Sequence, residues 1–257
     1  MRDTGLMDQL IPLFQQQTGY TVTPVYVGSG AAIALGNTGN ADVMVVHQPS
    51  GEITFMNSGN GINRRLIMHN DFVLLGPASD PAKVKSTTTS VDAFKAIITA
   101  AQAGTAGVAF YSRGDNSGTD ACEKGIFKLA GLTVKDKSPD NPKWYVEAPG
   151  GMGPLLLIAD QNQGYVLSDR GTYLAYKDKI TLVIVSEGDP AYLNPYHVIQ
   201  VNPAKFPGII NAEGAQAFSD FMVGPDAQGI ISNFKDKNGN LLFIADGGKT
   251  DADIGIQ

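Results

Sequence analysis

Apolar residues recur along this chain in two periods. Leu6, Leu10, Leu13 and Phe14 share one face of a helix expected over residues 6–17, with Pro12 inside it expected to kink or tighten the turn. Residues 91–103 repeat that period behind a Ser90 cap, with Phe94, Ile97, Ile98 and Ala101 as the buried face. Strand-type runs lie between: "TGYTVTPVYVGSG" (18–30), "ADVMVVH" (41–47), "GVAFY" (107–111), "WYVEA" (144–148), "GYVLS" (164–168) and "ITLVIVS" (180–186). Further helices are expected in "AAIALG" (31–36), over 119–130 closed by Gly131, from about 154, near 171–177, and over 212–223 and 226–234, before a last hairpin around "KNGN". Strands that alternate with helices predict an α/β protein with mixed, mostly parallel sheets and helices on both faces.

Two extended runs are longer than the rest, "RLIMHNDFVLLGP" (65–77) and "NPYHVIQVNP" (194–203). They bracket a self-contained middle segment. The reading is therefore two Rossmann-like lobes: lobe I from 1–71 and 200–257, lobe II from 72–199, with hinge crossings near 66–76 and 195–202. A chain that crosses twice is expected to make a hinged cleft, and the carboxyl ends of parallel strands face such crevices.

Composition narrows the function. With 257 residues, 43% of them hydrophobic, the chain can bury a substantial core. A formal charge of −6 leaves no basic stripe for phosphates, which excludes nucleic acid as an expected partner, while a local cluster of donors can still hold a small anion. The single Cys122 cannot close an intramolecular disulfide, and His47, His69 and His197 lack zinc-type spacing, so no metal is expected. No stretch reaches the roughly 18 apolar residues of a membrane span, and "MRDTGLMDQL" has no hydrophobic signal core.

The stretch that carries most chemistry is "FYSRGDNSGTDACEKGIFKLAG" (110–131). Its strand end delivers Ser112 and Arg113 to a turn, and Ser117, Gly118 and Thr119 fall where the next helix begins. Open amides at a helix N-terminus favour an anion, small residues let its oxygens approach, and an arginine fork can grip two of them. Asp115 is expected to hold Arg113 in position. The competing reading is an ordinary capped helix with a surface ion pair. "YVGSGAAIALG" repeats the design at Gly28, Ser29 and Gly30. "APGGMG" (148–153) and "LSDRGTYLAY" (167–176) add two more corners, where Gly151, Met152 and Gly153 could lend amides and Arg170 a second cation. For these the structural reading is preferred: glycine for turn dihedrals, and Asp169 with Arg170 as a local pair. "DKNGN" (236–240) has its glycine in the wrong place for a calcium loop and reads better as a hairpin turn. No nucleotide-binding glycine loop or nucleophile elbow is present, and Ser117 has no histidine near it in sequence, so no catalytic residue or cofactor is expected.

Taken in order, "DTGLMDQLIPLFQQQTGYTV", "VGSGAAIALG", "ADVMVVHQP", "MHNDFVLLGP", "SRGDNSGT", "WYVEAPGGMG", "SDRGTYLAY" and "NPYHVIQVNP" resemble the tungstate/molybdate branch of the type II periplasmic substrate-binding proteins that feed ABC transporters. The resemblance covers nearly the whole chain. It implies two α/β lobes joined by two hinge strands that close on one oxyanion without chemistry or cofactor, outside the cytoplasm and beside an ABC permease. By matching position it implies ligand contacts at Ser29 with its flanking glycines, and at Arg113, Ser117, Gly118 and Thr119. It also places a β-strand and a Thr/Ser-rich ligand loop ahead of the segment matching "DTGL", upstream of Met1. The similar string Thr87-Thr88-Thr89-Ser90 reads as a helix cap.

Three other readings stay open at this point. Phosphate or sulfate could be the anion in the same fold, in which case monohydrogen phosphate needs an acceptor for its proton, with Asp115 and Asp169 as candidates. A hydrolase acting on an anionic ester would need a general base beside its nucleophile. A binding lobe uncoupled from transport would serve as an extracellular sensor.

Overall fold

The computed structural model describes residues 4–135, 137–148 and 150–256. In chain order the elements are α1 (Leu6–Thr18), α2 (Ser29–Asn37), β1 (Val43–Val46), α3 (Pro49–Asn57), β2 (Gly61–Gly76), α4 (Ser90–Gln102), β3 (Phe110–Ser112), α5 (Gly118–Leu129) and β4 (Tyr145–Glu147). They continue with α6 (Met152–Gln161), β5 (Tyr165–Asp169), α7 (Arg170–Tyr176), β6 (Val183–Ser186), β7 (Leu193–Val201), α8 (Ala212–Val223), α9 (Pro225–Asn233) and β8 (Ile244–Ala245). The chain forms two compact units, Met1–Asn70 with Asn194–Gln257, and Asp71–Leu193.

In the first unit β1 pairs antiparallel with β7, from Val43 opposite Gln200 to Val46 opposite His197. Met44 and Val46 point into a core with Ile33, Phe55, Ile199 and Val201. The apolar face of α1 buries Leu6, Leu10 and Phe14, and the Phe14 ring meets Phe218 edge-on at 5.1 Å. Each such side chain contributes about 2 kcal/mol by leaving water. Pro12 sits within α1, and the helix continues through it.

The second unit shows why its sequence alternates. β3 runs parallel to both β4 and β5, while β2 lies antiparallel to β5 and β6. Phe110 of β3 and Tyr165 and Leu167 of β5 face a core closed by Phe94 and Ile97 of α4 and Phe127 of α5. Their neighbours Tyr111 and Val166 face the other core, with Leu155 and Leu156 of α6 and Tyr173 of α7. Side chains that alternate between two covered faces are what a doubly wound sheet requires. Trp144, the sole tryptophan, lies beside this first core with its ring 6.2 Å from that of Phe127.

Four sequence expectations change here. The strand expected over 18–30 does not form: residues 19–28 carry no strand ladder, and Val25, Tyr26 and Val27 are 64%, 38% and 48% exposed. Strand preference is a preference for packing on a neighbouring strand, and none pairs with this run among the described residues. Helix α3 escaped the apolar pattern, because Gly51, Ile53 and Thr54 weaken its helical signal. Pro49 in the first turn and the Glu52 carboxylate, which accepts the Gln48 amide at 2.7 Å, start it instead. The cap of α4 is Thr89 rather than Ser90, its side chain accepting the Asp92 amide at 3.1 Å. The hairpin near 236–240 shrinks to one bridge, Lys235 to Leu241, around an Asp236 carboxylate that accepts the Asn238 and Asn240 amides, each at 2.8 Å.

Candidate functional site

Parallel pairing brings three strand ends of the second unit to one edge. Ser112 ends β3 opposite Glu147 of β4, and β5 ends beside them at Asp169. The chain leads from β3 through 113–117 into α5, from β4 through 148 and 150–151 into α6, and from β5 at Asp169 straight into α7, so these turns share the carboxyl edge of the sheet. Loops on that edge are where open α/β sheets hold ligands.

The first loop is the most elaborate. Gly114 takes φ 52°, and a β-carbon there would stand 2.9 Å from the Glu147 side chain, so both dihedral and space demand glycine. The expected ion pair forms: Arg113 Nη2 and Nε donate to Asp115 Oδ2 at 2.6 and 3.2 Å, with the arginine side chain only 12% exposed. Asp115 Oδ1 accepts the Ser117 amide at 3.1 Å, and Ser117 Oγ caps α5 by accepting the Asp120 amide at 3.3 Å. That leaves the amides of Gly118 and Thr119 in the first turn, which meet no acceptor among the described residues. Ser117 and Thr119 are each 3% exposed, so these donors sit in a largely dry setting, one and two residues on from the Ser117 amide that Asp115 ties to Arg113.

Ser112 is not at the surface of this arrangement. Fully buried, it accepts the Gly114 amide at 3.1 Å and the Tyr145 hydroxyl at 2.7 Å, and donates to Glu123 Oε1. Burial pushes the Glu123 carboxyl well above the usual carboxylate range, and the same cause, followed by the charge of Glu123, raises Tyr145. Glu123, Asp120 and Tyr145 escaped the sequence reading of the site. The signal was there: Thr119, Glu123, Ile126 and Phe127 fall on one face of α5, and a carboxylate on an apolar face needs a reason.

The neighbouring corners divide. Gly151 adopts φ 104° at the start of α6, and the amides of Met152 and Gly153 meet no acceptor among the described residues, although the Met152 side chain is core. Arg170 is no spare cation. It donates to Asp71 Oδ1 at 2.7 Å and Oδ2 at 2.5 Å, and to Glu187 Oε2 at 2.7 Å; hydrogen bonding to Asp71 chiefly, and to Glu187, makes its proton harder to remove. The local pair expected between Asp169 and Arg170 gives way to these contacts, because Asp169 instead caps α7 through the Thr172 amide and hydroxyl at 2.8 and 2.7 Å.

In the first unit, α2 begins at Ser29 behind Gly28, with no side-chain cap. Ser29 Oγ accepts the His47 amide at 3.1 Å, and the amides of Ser29, Gly30 and Ala31 meet no acceptor among the described residues. Among the described residues no cluster of His, Cys, Asp or Glu is disposed to hold a metal, and no helix is long and apolar enough to cross a membrane.

Residues 2–226 match the PBP superfamily domain. The tungstate-binding protein TupA of Peptoclostridium acidaminophilum is 40% identical over 250 residues, 96% of this chain and 83% of that one, and the TupA of Campylobacter jejuni is 37% identical over 248 residues, 94% and 87% of the two chains. The crystal structure of the tungstate ABC transporter from Geobacter sulfurreducens superposes with a TM-score of 0.75 at 39% identity, covering 91% of this chain and 94% of that one. The mixed, open-sheet α/β fold is that of type II periplasmic binding proteins, and the chain belongs to the PBP superfamily and, within it, to the family of the TupA proteins.

Proposed function

We propose that this chain binds a tetrahedral oxyanion, tungstate or molybdate, as the extracytoplasmic substrate-binding component of an ABC transporter, and catalyses no reaction. The observation that carries the reading is the pair of open amides at Gly118 and Thr119, tied through Asp115 to an Arg113 side chain only 12% exposed. A charge-assisted hydrogen bond is worth about 1.5–3 kcal/mol, so nanomolar affinity, about −12 kcal/mol, takes roughly five or more such donors acting together. The Met152 and Gly153 amides on the same sheet edge, and the Ser29, Gly30 and Ala31 amides of the first unit, are the further donors put forward.

The committed carboxylates favour tungstate or molybdate over phosphate. Bare dianions need donors only, whereas monohydrogen phosphate also needs an acceptor for its proton. Both Asp115 oxygens already accept, from Arg113 and the Ser117 amide, and both Asp169 oxygens from Thr172, so neither carboxylate is held in reserve for that proton. Calorimetric titration with tungstate, molybdate, sulfate and phosphate is the test. The expected order puts tungstate and molybdate first; tighter binding of phosphate, or no binding of any of the four, overturns the reading.

A further inference from the structure

Under the Arg113 loop lies a polar cluster that oxyanion binding does not itself use. Asp120 and Glu123 lie one turn apart on α5 and are both fully buried. Glu123 Oε1 accepts from Ser112, whose hydroxyl oxygen in turn holds the Gly114 amide. Glu123 Oε2 is buried and meets no donor among the described residues, and the fully buried Asp120 carboxyl lies one helical turn from it on the same face of α5. Asp120 Oδ2 accepts the Asn116 amide at 2.9 Å and Lys124 Nζ at 2.6 Å. The two acids thus hang both arms of the loop, Gly114 through Ser112 and Asn116 directly.

Two ionised carboxylates one turn apart in a dry interior repel, and one proton between them converts the repulsion into a bond. Lys124 and the Asn116 amide stabilise charge on Asp120, which leaves Glu123 as the member that carries the proton. We infer that Glu123 holds a proton on Oε2 and donates it to Asp120, and that this acid–carboxylate pair is the positioning element that keeps Gly114, Asn116 and hence Arg113 set for an oxyanion. The inference rests on the oxyanion reading for its functional half; the shared proton stands without it.

Among the described residues, the groups that act on Glu123 are Asp120, Lys124 and Cys122 on its own helix and Tyr145 on β4, with the neutral Ser112 hydroxyl on β3. Burial is the main reason that Glu123 keeps its proton far above the usual range; the Ser112 hydrogen bond opposes it, the Asp120 charge adds to it, and Lys124 opposes it. Loss of that proton at alkaline pH adds a negative charge beneath the anion and breaks the link to Asp120. Oxyanion affinity then falls on the alkaline side through the loop, with no group at the ligand having titrated.

The experiment compares wild type, Glu123→Gln and Glu123→Ala. In the ligand-free protein at neutral pH, infrared spectra should show the carbonyl stretch of a protonated carboxyl that shifts in heavy water and vanishes in Glu123→Gln. In tungstate calorimetry, Glu123→Ala should bind about tenfold more weakly, and Glu123→Gln, which can still donate to Asp120 and accept from Ser112, should recover to within about threefold. The alkaline fall in affinity should be flattened in Glu123→Gln relative to wild type. No protonated-carboxyl band in wild type, or the same pH profile in wild type and Glu123→Gln, overturns the inference. If wild type binds none of the oxyanions, the oxyanion reading fails and the infrared comparison alone decides the proton. If Glu123→Ala does not fold, the Gln variant still decides.

Discussion

The helix starts at α2 and α5 offer an anion the same kind of donor and are built in opposite ways. At α2 the first-turn amides of Ser29, Gly30 and Ala31, behind a Gly28 that offers no side-chain cap, meet no acceptor among the described residues, and the one hydroxyl is spent on the His47 amide. At α5 a side-chain cap, an arginine, a carboxylate that serves both, and two buried acids surround two open amides. On the proposed reading, a bare start costs the sequence only small residues and would answer to any anion that fits. The scaffolded start adds a fixed positive charge, so it distinguishes charge and geometry, and it depends on every strut beneath it.

The largest expected effect separates the two at once. Arg113→Ala should weaken tungstate binding by about a hundredfold, the loss of two charge-assisted bonds, with the ligand-free melting temperature nearly unchanged. Gly114→Ala should cost about tenfold, because φ 52° and the Glu147 side chain 2.9 Å away force the loop to shift. Ser29→Ala should cost about three- to fivefold, since only the contact to the His47 amide is lost while the open amides remain. Calorimetry on the three variants measures all of this. A Ser29→Ala loss greater than that of Arg113→Ala would invert the comparison.

A smaller effect sharpens the contrast through pH. In the first unit, burial would raise the Asp251 carboxyl, but hydrogen bonds from His197 and Arg64 outweigh it and hold the group below its usual range. Asp246 is held down likewise by His69 and Lys249 against its burial. A lowered carboxyl contributes stability that is present above about pH 4 and is lost as pH falls through the folded value. Glu123 in the second unit has the reverse sign: its contribution is present below about pH 4 and is lost as pH rises toward its elevated folded value. Hydrogen exchange resolved by unit should therefore show Met1–Asn70 and Asn194–Gln257 loosening on acidification, with Asp251→Asn removing part of that response and about 1–3 kcal/mol of stability.

Most helices and strands were legible because their buried faces repeat cleanly, as in Phe94, Ile97 and Ile98 of α4 or the alternation through Tyr165, Val166 and Leu167 of β5. The run 19–28 was misread because β-branched residues announce a strand whether or not a neighbour is there to pair. Of the site, the residue types at Arg113, Ser117, Gly118 and Thr119 could be picked out, since strand end, cation and helix start follow one another in sequence. Arg170 could not be resolved, because its partners Asp71 and Glu187 lie 99 and 17 residues away. Glu123 was visible as an oddity on an apolar face, but its acceptance of the Ser112 hydroxyl and its second, buried oxygen are matters of three-dimensional packing.

The placement of Trp144 gives the molecule its own optical gauge. Its indole sits against Phe127 on α5 and next in sequence to Tyr145, which hydrogen-bonds Ser112 at the foot of the loop. As the sole indole, it emits from the second unit alone, so any change in colour or brightness on adding tungstate is read from that side without a dye.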